Sequence, residues 1–270
     1  MQNTLTVVIG ASGKTGRRVV ARLTGAGHAV RAVSRRSEPA FEWGDQSTWP
    51  AALRGASHAY ITYAPDLAAA GAPEAITAFV ACAQQAGVQR LVLLSGRGES
   101  GAQRCEQIIA GSGLQYAIVR ASWFAQNFNE GYLLDSVRNG MIAMPAGEVA
   151  EPFVDVEDIA DVAFAALTED GHDGQIYEVT GPRLLTFAQA AAEISAAAGR
   201  TVDYLPITSA QFHAALVPTV GPDYADMLTK LCEEVFDGRN ASPGDGVAKA
   251  LARQPRDFAD YCRTAAEAWK

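Results

Sequence analysis

An apolar strand running into three evenly spaced glycines and then a helix, a strand–helix alternation that continues to Arg120, and a change of texture beyond Gly140 predict an α/β protein. The fold class is a Rossmann-type doubly wound parallel sheet with a smaller C-terminal lobe. The sheet-bearing unit is expected over residues 1–140. Residues 141–270 are expected to be mostly lobe, with late elements at about 153–180 returning to the sheet.

The opening stretch reads Thr4-Leu-Thr-Val-Val-Ile-Gly10-Ala-Ser-Gly13-Lys-Thr-Gly16. Apolar and β-branched residues run into Gly10, and an amphipathic helical pattern starts near Lys14, so the glycines sit where a buried strand becomes a helix. This order makes a dinucleotide cradle. Gly10 permits the tight turn, Gly13 lets backbone approach a pyrophosphate, and Gly16 lets the helix close on the strand. Ser12, Lys14 and Thr15 complete the loop, and the helix N-terminus offers free N–H groups to the anion. The spacing is G-x-x-G-x-x-G. Gly13-Lys-Thr also imitates the end of a Walker A loop, but the glycine that motif needs earlier is Val8, which excludes a kinase or ATPase reading.

The second strand covers residues 28–34 and ends in Ser34-Arg35-Arg36, where an NAD site usually carries an acid for the ribose hydroxyls. Two guanidiniums suit a 2′-phosphate, so NADP (NADPH) is the expected cofactor; a solvated basic loop is the competing reading. Residues 37–40 are too few for a crossover helix, and 41–43 give at best a short third strand. Asp45 either faces the adenine or caps the helix through Leu53. The next strand, 59–63, delivers Tyr63 and Ala64 to the nucleotide. A helix from Pro73, a strand over 90–95 ending at Ser95 and Gly96, a helix over 99–110 and a strand over 115–120 follow. Beyond that strand, Trp123, Phe124, Asn127 and Phe128 either line a pocket or pack in the core, with Asn127 the most pointed of them.

Asp155-Val-Glu-Asp158 reads as a helix cap and not as a metal site, since no further ligand completes a set. Cys82, Cys105, Cys232 and Cys262 lack metal or disulfide spacing, and His172 and His213 lack triad partners. With 22 basic and 30 acidic residues the net charge is −8, which opposes nucleic-acid binding. No basic-plus-apolar leader or long apolar run is evident, so a cytoplasmic protein with a small-molecule substrate and no membrane partner is expected, as monomer or homodimer.

These residues resemble the NmrA-like, atypical branch of the short-chain dehydrogenase/reductase superfamily. The likeness rests on the glycine motif, Leu91-Val-Leu-Leu-Ser95, the stretch from Ser112 to Phe128, Phe153-Val-Asp-Val-Glu-Asp-Ile-Ala160 and Ile176-Tyr-Glu-Val-Thr-Gly-Pro182. Within the branch the chain is most similar to quinone-reductase-like members and to fungal proteins that reduce a cyclic iminium in ergot-alkaloid assembly. The resemblance implies an NADP-dependent oxidoreductase, with Ser95, Glu106 and Asn127 as candidate catalytic residues and Trp123, Phe124, Asn127 and Phe128 against the substrate. Superfamily members usually carry a Tyr and a Lys four residues apart on the helix after the fifth strand; Ala102 and Glu106 stand at those positions. Tyr116 and Arg120 share the spacing, but on a strand four residues span about 13 Å. A reductase for iminium, imine or quinone acceptors is therefore expected over a ketone reductase, with a non-catalytic NADP-sensing regulator as the alternative.

Overall fold

The computed structural model describes residues 4–270 and is built on a six-stranded parallel sheet. The chain runs through β1 (Leu5–Ile9), α1 (Lys14–Gly25), β2 (Ala29–Val33), α2 (Trp49–Leu53), β3 (His58–Ile61), α3 (Ala72–Gln85), β4 (Arg90–Gly96), α4 (Ser100–Ala110) and β5 (Gln115–Ala121). It continues through α5 (Asn127–Glu130), α6 (Leu134–Arg138), β6 (Met141–Met144), β7 (Ala150–Glu151), α7 (Val156–Thr168), β8 (Gln175–Val179), β9 (Leu185–Thr186) and α8 (Phe187–Ala198). Last come β10 (Asp203–Pro206), α9 (Ser209–Val220), α10 (Pro222–Val235), α11 (Gly246–Leu251) and α12 (Phe258–Ala265). The sheet order is β2-β1-β3-β4-β5-β8. The chain leaves β1 towards one edge and returns at β3 on the other side, which opens a crevice at the carboxyl ends of β1 and β3.

Both faces of the sheet are covered, so its central strands are apolar through their middles. Val7, Ile9, Ile61, Leu91 and Leu93 pack under α3 and α4 on one face; Val8, Tyr60, Val92 and Val119 pack under α1 and α7 on the other. The α1–α7 pair is tied at its rim by Arg18 to Glu157 at 2.5 Å and Arg22 to Asp161 at 2.5 Å. A third core, built from Phe128, Phe153, Phe187, Phe258 and Trp269, holds the C-terminal elements. There β6 pairs with β10 and β7 with β9.

Three expectations change here. Residues 41–43 form no strand of the sheet; Glu42 only bridges to Asp45. Their aromatics serve burial instead, with Trp43 5.1 Å from Phe41 and 5.4 Å from Phe79 between ring centres. Trp43 and Trp49 satisfy their indole N–H groups on the carbonyls of Thr62 and Glu42. The Asp45 carboxylate accepts from the Ser47 amide at 3.0 Å and so acts as a cap, of the short 3-10 turn Gln46–Thr48 that precedes α2. Phe128 belongs to the third core, fully buried against Phe153, Phe187 and Phe258.

At 155–158, Asp155 caps α7 by accepting from the Glu157 amide at 2.9 Å, and buried Asp158 pairs with Arg253 and Arg256. No helix among the described residues is long and apolar enough to cross a membrane.

Candidate active site

The cradle is a backbone structure. Gly10 has φ +72°, and a side chain there would meet the Thr62 hydroxyl at 2.1 Å, itself donating to the Ile9 carbonyl. The Gly13 amide closes the turn onto the Gly10 carbonyl at 2.9 Å. A Cβ on Gly16 would lie 2.2 Å from that same carbonyl oxygen, so α1 can approach β1 only without a side chain there. Gly13 begins α1 with no side-chain cap and no acid in the first turn, which leaves the helix's N–H groups and positive end to a ligand. Ser12 and Gly13 are exposed at this end, while Thr15 is buried and serves the packing of α1. The arrangement fits a dinucleotide pyrophosphate.

Beside it, the Ala11 amide donates to the Val33 carbonyl, which places the loop after β2 next to the cradle. Arg35 and Arg36 are exposed there, and their side chains have no partner among the described residues. On the other side of β1, Tyr63 packs on Trp43 at 4.8 Å and Ala64 is exposed in the loop after β3.

A cavity of about 400 Å³ extends from this crevice. Its floor comes from the carboxyl ends of β3, β4 and β5, including Tyr63, Ser95, Gly96, Trp123 and Phe124. Its cover comes from α9 and α10 through Leu216, Val220, Tyr224, Leu228 and Leu231. Asn127, at the start of α5, accepts a hydrogen bond from Lys14 Nζ at 3.1 Å, so the cradle and the pocket wall share a polar contact. Burial lowers the Lys14 pKa, which the nearby Glu130 carboxylate partly opposes. Trp123 lines the cavity and also packs 4.8 Å from Phe236.

Glu106 does something other than expected. Its buried carboxylate accepts from the Ser95 hydroxyl at 2.6 Å and from Arg120 at 3.0 and 2.5 Å, and it does not line the cavity. Arg120 also reaches Glu178 at 3.1 Å. The charge of Glu106 is thus consumed inside the protein. Phe128 does not reach the cavity either.

Other carboxyls do. Asp66 and Glu99 both line the cavity and meet through their carboxyls. Burial first, then the Asp66 charge, raises Glu99 well above the carboxylate range, and burial raises Asp66. Glu151 also lines the cavity although only 1% exposed. Burial pushes its carboxyl up to about 7, against the Ser122 hydroxyl and the Arg97 charge. The available signal was a lone acid in the apolar stretch Val149-Ala-Glu151-Pro-Phe-Val154.

That burial makes a stability prediction. Between about pH 4.5 and pH 7 the folded chain holds a Glu151 proton that the unfolded chain has released. The stability is present below the unfolded pKa and is lost as pH rises through the folded one, a change of about 3 kcal/mol. Glu151→Gln removes the dependence. Urea unfolding is expected to show the variant gaining about 3 kcal/mol on the native protein between about pH 4 and pH 8.5. A difference that stays constant with pH would return Glu151 to an ordinary carboxyl.

Comparison with known proteins agrees with this geometry. Residues 10–170 match the NAD(P)H-binding family. An NAD(P)H azoreductase of Xenophilus azovorans is 32% identical, over 97% of this chain and 98% of that protein. A festuclavine dehydrogenase of Aspergillus fumigatus is 28% identical over 97% and 98%. Among solved structures, Citrobacter sp. triphenylmethane reductase complexed with NADP(H) superposes with a TM-score of 0.81 at 19% identity, covering 96% of this chain and 99% of that one. An NmrA mutant superposes at 0.72 and 19%, covering 97% and 95%. The chain belongs to the NAD(P)H-binding family, and NAD(P)H is its cofactor.

Proposed function

We propose that the chain is an NADPH-dependent reductase whose acceptor is a small iminium, imine or quinone, and not a simple ketone. The observation that carries this reading is the composition of α4 at the positions of the superfamily's Tyr and Lys. Ala102 there has no proton to give, and the Glu106 carboxylate is bound by Arg120. Hydride delivery to a ketone builds an alkoxide that needs a proton as it forms; a cationic C=N bond loses charge, and a quinone spreads its own.

Each element has a task in this reading. Ser12, Gly13 and the start of α1 hold the pyrophosphate, and Arg35 and Arg36 clasp the 2′-phosphate. Tyr63, Ala64, Ser95 and Gly96 flank the nicotinamide ribose side, where the bound cofactor supplies hydride. Trp123 and Phe124 sandwich a flat acceptor under the α9–α10 cover, and Asn127 with Lys14 orients its polar end. The relatives named azoreductase and festuclavine dehydrogenase, aligned over nearly their whole length, support chemistry over a purely regulatory role.

Two experiments test the reading. Replacing Arg35 and Arg36 by Ala is expected to weaken NADPH binding by about 100-fold, on the scale of hydrogen bonds between charged groups, with NADH affected less than about threefold. An equal loss for both cofactors would show that the arginines do not read the phosphate. NADPH oxidation followed with matched ketone, quinone and cyclic-iminium acceptors is expected to be slow only with the ketone. Tight NADP⁺ binding with no turnover of any acceptor would favour the regulator.

A further inference from the structure

Within that reductase reading, we propose that Glu151 is the proton donor for quinones, acting on the phenolate after hydride transfer and not on a ketone while its alkoxide forms. Three features of its position point there. Glu151 is 99% withdrawn from solvent yet lines the acceptor cavity. Its Oε2 accepts from the Ser122 hydroxyl at 3.1 Å, which fixes the carboxyl beside the end of β5. Its Oε1 is buried and has no hydrogen-bond partner among the described residues. An orphaned buried carboxyl oxygen costs free energy unless a group outside the protein completes it, and the cavity that Glu151 lines is where such a group would sit.

The surroundings suit an acid that is spent and restored in each cycle. Arg97 is the charged group that acts on Glu151 from β4 and its following turn. It is itself held by Glu178 of β8 at 3.0 Å and by the carbonyls of Asn240 and Ser242, each at 2.8 Å. From the end of β5 the neighbour is Ser122; from β9 the paired residue is Leu185, which carries no charge. The carboxyl therefore holds its proton about half of the time at pH 7, and its carboxylate is steadied by one hydroxyl and one guanidinium.

In the reaction, hydride supplied by a bound NADPH would form one O–H bond on the quinone, both C=O π bonds would be lost as the ring becomes aromatic, and the negative charge would settle on the second oxygen as a phenolate. The Glu151 O–H bond then breaks and its proton forms the second O–H bond, giving the hydroquinone. This transfer runs downhill, because a phenolic oxygen has a pKa near 10. The Glu151 carboxylate regains a proton from water before the next turnover. A cyclic iminium takes the hydride alone and becomes a neutral amine, so it does not call on Glu151.

The test compares native protein and Glu151→Gln with 1,4-benzoquinone and with a cyclic iminium, under NADPH, across pH. Native quinone turnover is expected to fall above about pH 7, and the variant to lose at least about tenfold and the pH dependence with it. Iminium turnover is expected to stay within about threefold in both. A variant that keeps the native quinone rate and pH profile overturns the inference, as does one that loses quinone and iminium turnover equally, which would mark a structural role. Absence of turnover by the native protein with either acceptor would sink the reductase reading and this one with it. Turnover without the Glu151 signature sinks this one alone.

Discussion

Gly16→Val is expected to cost the protein both its nucleotide site and several kcal/mol of stability, whereas Gly13→Val removes nucleotide binding and leaves the fold standing. The two glycines are three residues apart and fail for different reasons. A Cβ on Gly16 meets the Gly10 carbonyl oxygen at 2.2 Å, its carbon at 2.8 Å and the Ala11 Cα at 3.0 Å. All three are backbone atoms, and Gly10 cannot retreat because Thr62 stands behind it. The helix must lift off β1, which opens the packing of Val19 and Leu23 against the sheet. At Gly13 the backbone is ordinary, with φ −77°, and a Cβ would sit 3.2 Å from the Gly10 oxygen, a contact a few tenths of an ångström of movement relieves. The branched side chain instead projects over the N–H groups that a pyrophosphate would use. Calorimetry is expected to show NADPH affinity down by at least about 100-fold, or roughly 3 kcal/mol, in Gly13→Val. Thermal unfolding should match the native protein for Gly13→Val and fall sharply for Gly16→Val. Retained binding by the first variant would take the cradle out of the account.

The difference between these positions also explains what sequence could and could not reveal. The strand, glycine turn and helix are local and repeat a single mechanical solution, so their residue types announce them. The strands expected over 28–34, 59–63, 90–95 and 115–120 are each found within a residue or two of those bounds. The aromatic run Phe41 to Trp43 misleads because β-branched and aromatic residues mark burial as much as strand. Here they stack on Trp49 and Phe79, and Phe79 arrives from a helix far along the chain. Trp123 and Phe128 share one segment and the same chemistry, yet one lines the cavity and the other fills the third core; the choice depends on Phe153, Phe187 and Phe258, none of them local. The same holds for acids. Glu106 draws attention through its place in α4, but its partner is a strand residue 14 positions on. Glu151 sits on a two-residue strand with no motif around it, and only the folded cavity gives it a role.

Glu106 then supplies a prediction that separates a structural acid from a chemical one. Its carboxylate is 4% exposed as a residue and takes both the Nε and Nη2 of Arg120 along with the Ser95 hydroxyl. The row continues through Glu178, which Arg120 and Arg97 share at 3.1 and 3.0 Å, so the charges alternate from α4 to the edge of β8. Breaking a buried pair at one end strands the other charge, a cost of about 3–5 kcal/mol. Glu106→Gln keeps the volume and an acceptor for Ser95, but its amide nitrogen faces a guanidinium with which it can make no hydrogen bond. We expect a loss of about 3 kcal/mol by urea unfolding, with the slope of the transition unchanged. Replacing Glu106 by Gln and Arg120 by Met together should cost less than the sum of the two single changes, since the stranded guanidinium is gone. Under conditions where the single variant remains folded, its iminium turnover per folded molecule is expected to equal that of the native protein, because Glu106 does not face the cavity. A variant of native stability whose turnover collapses would reverse the assignment and put Glu106 back among the reacting groups.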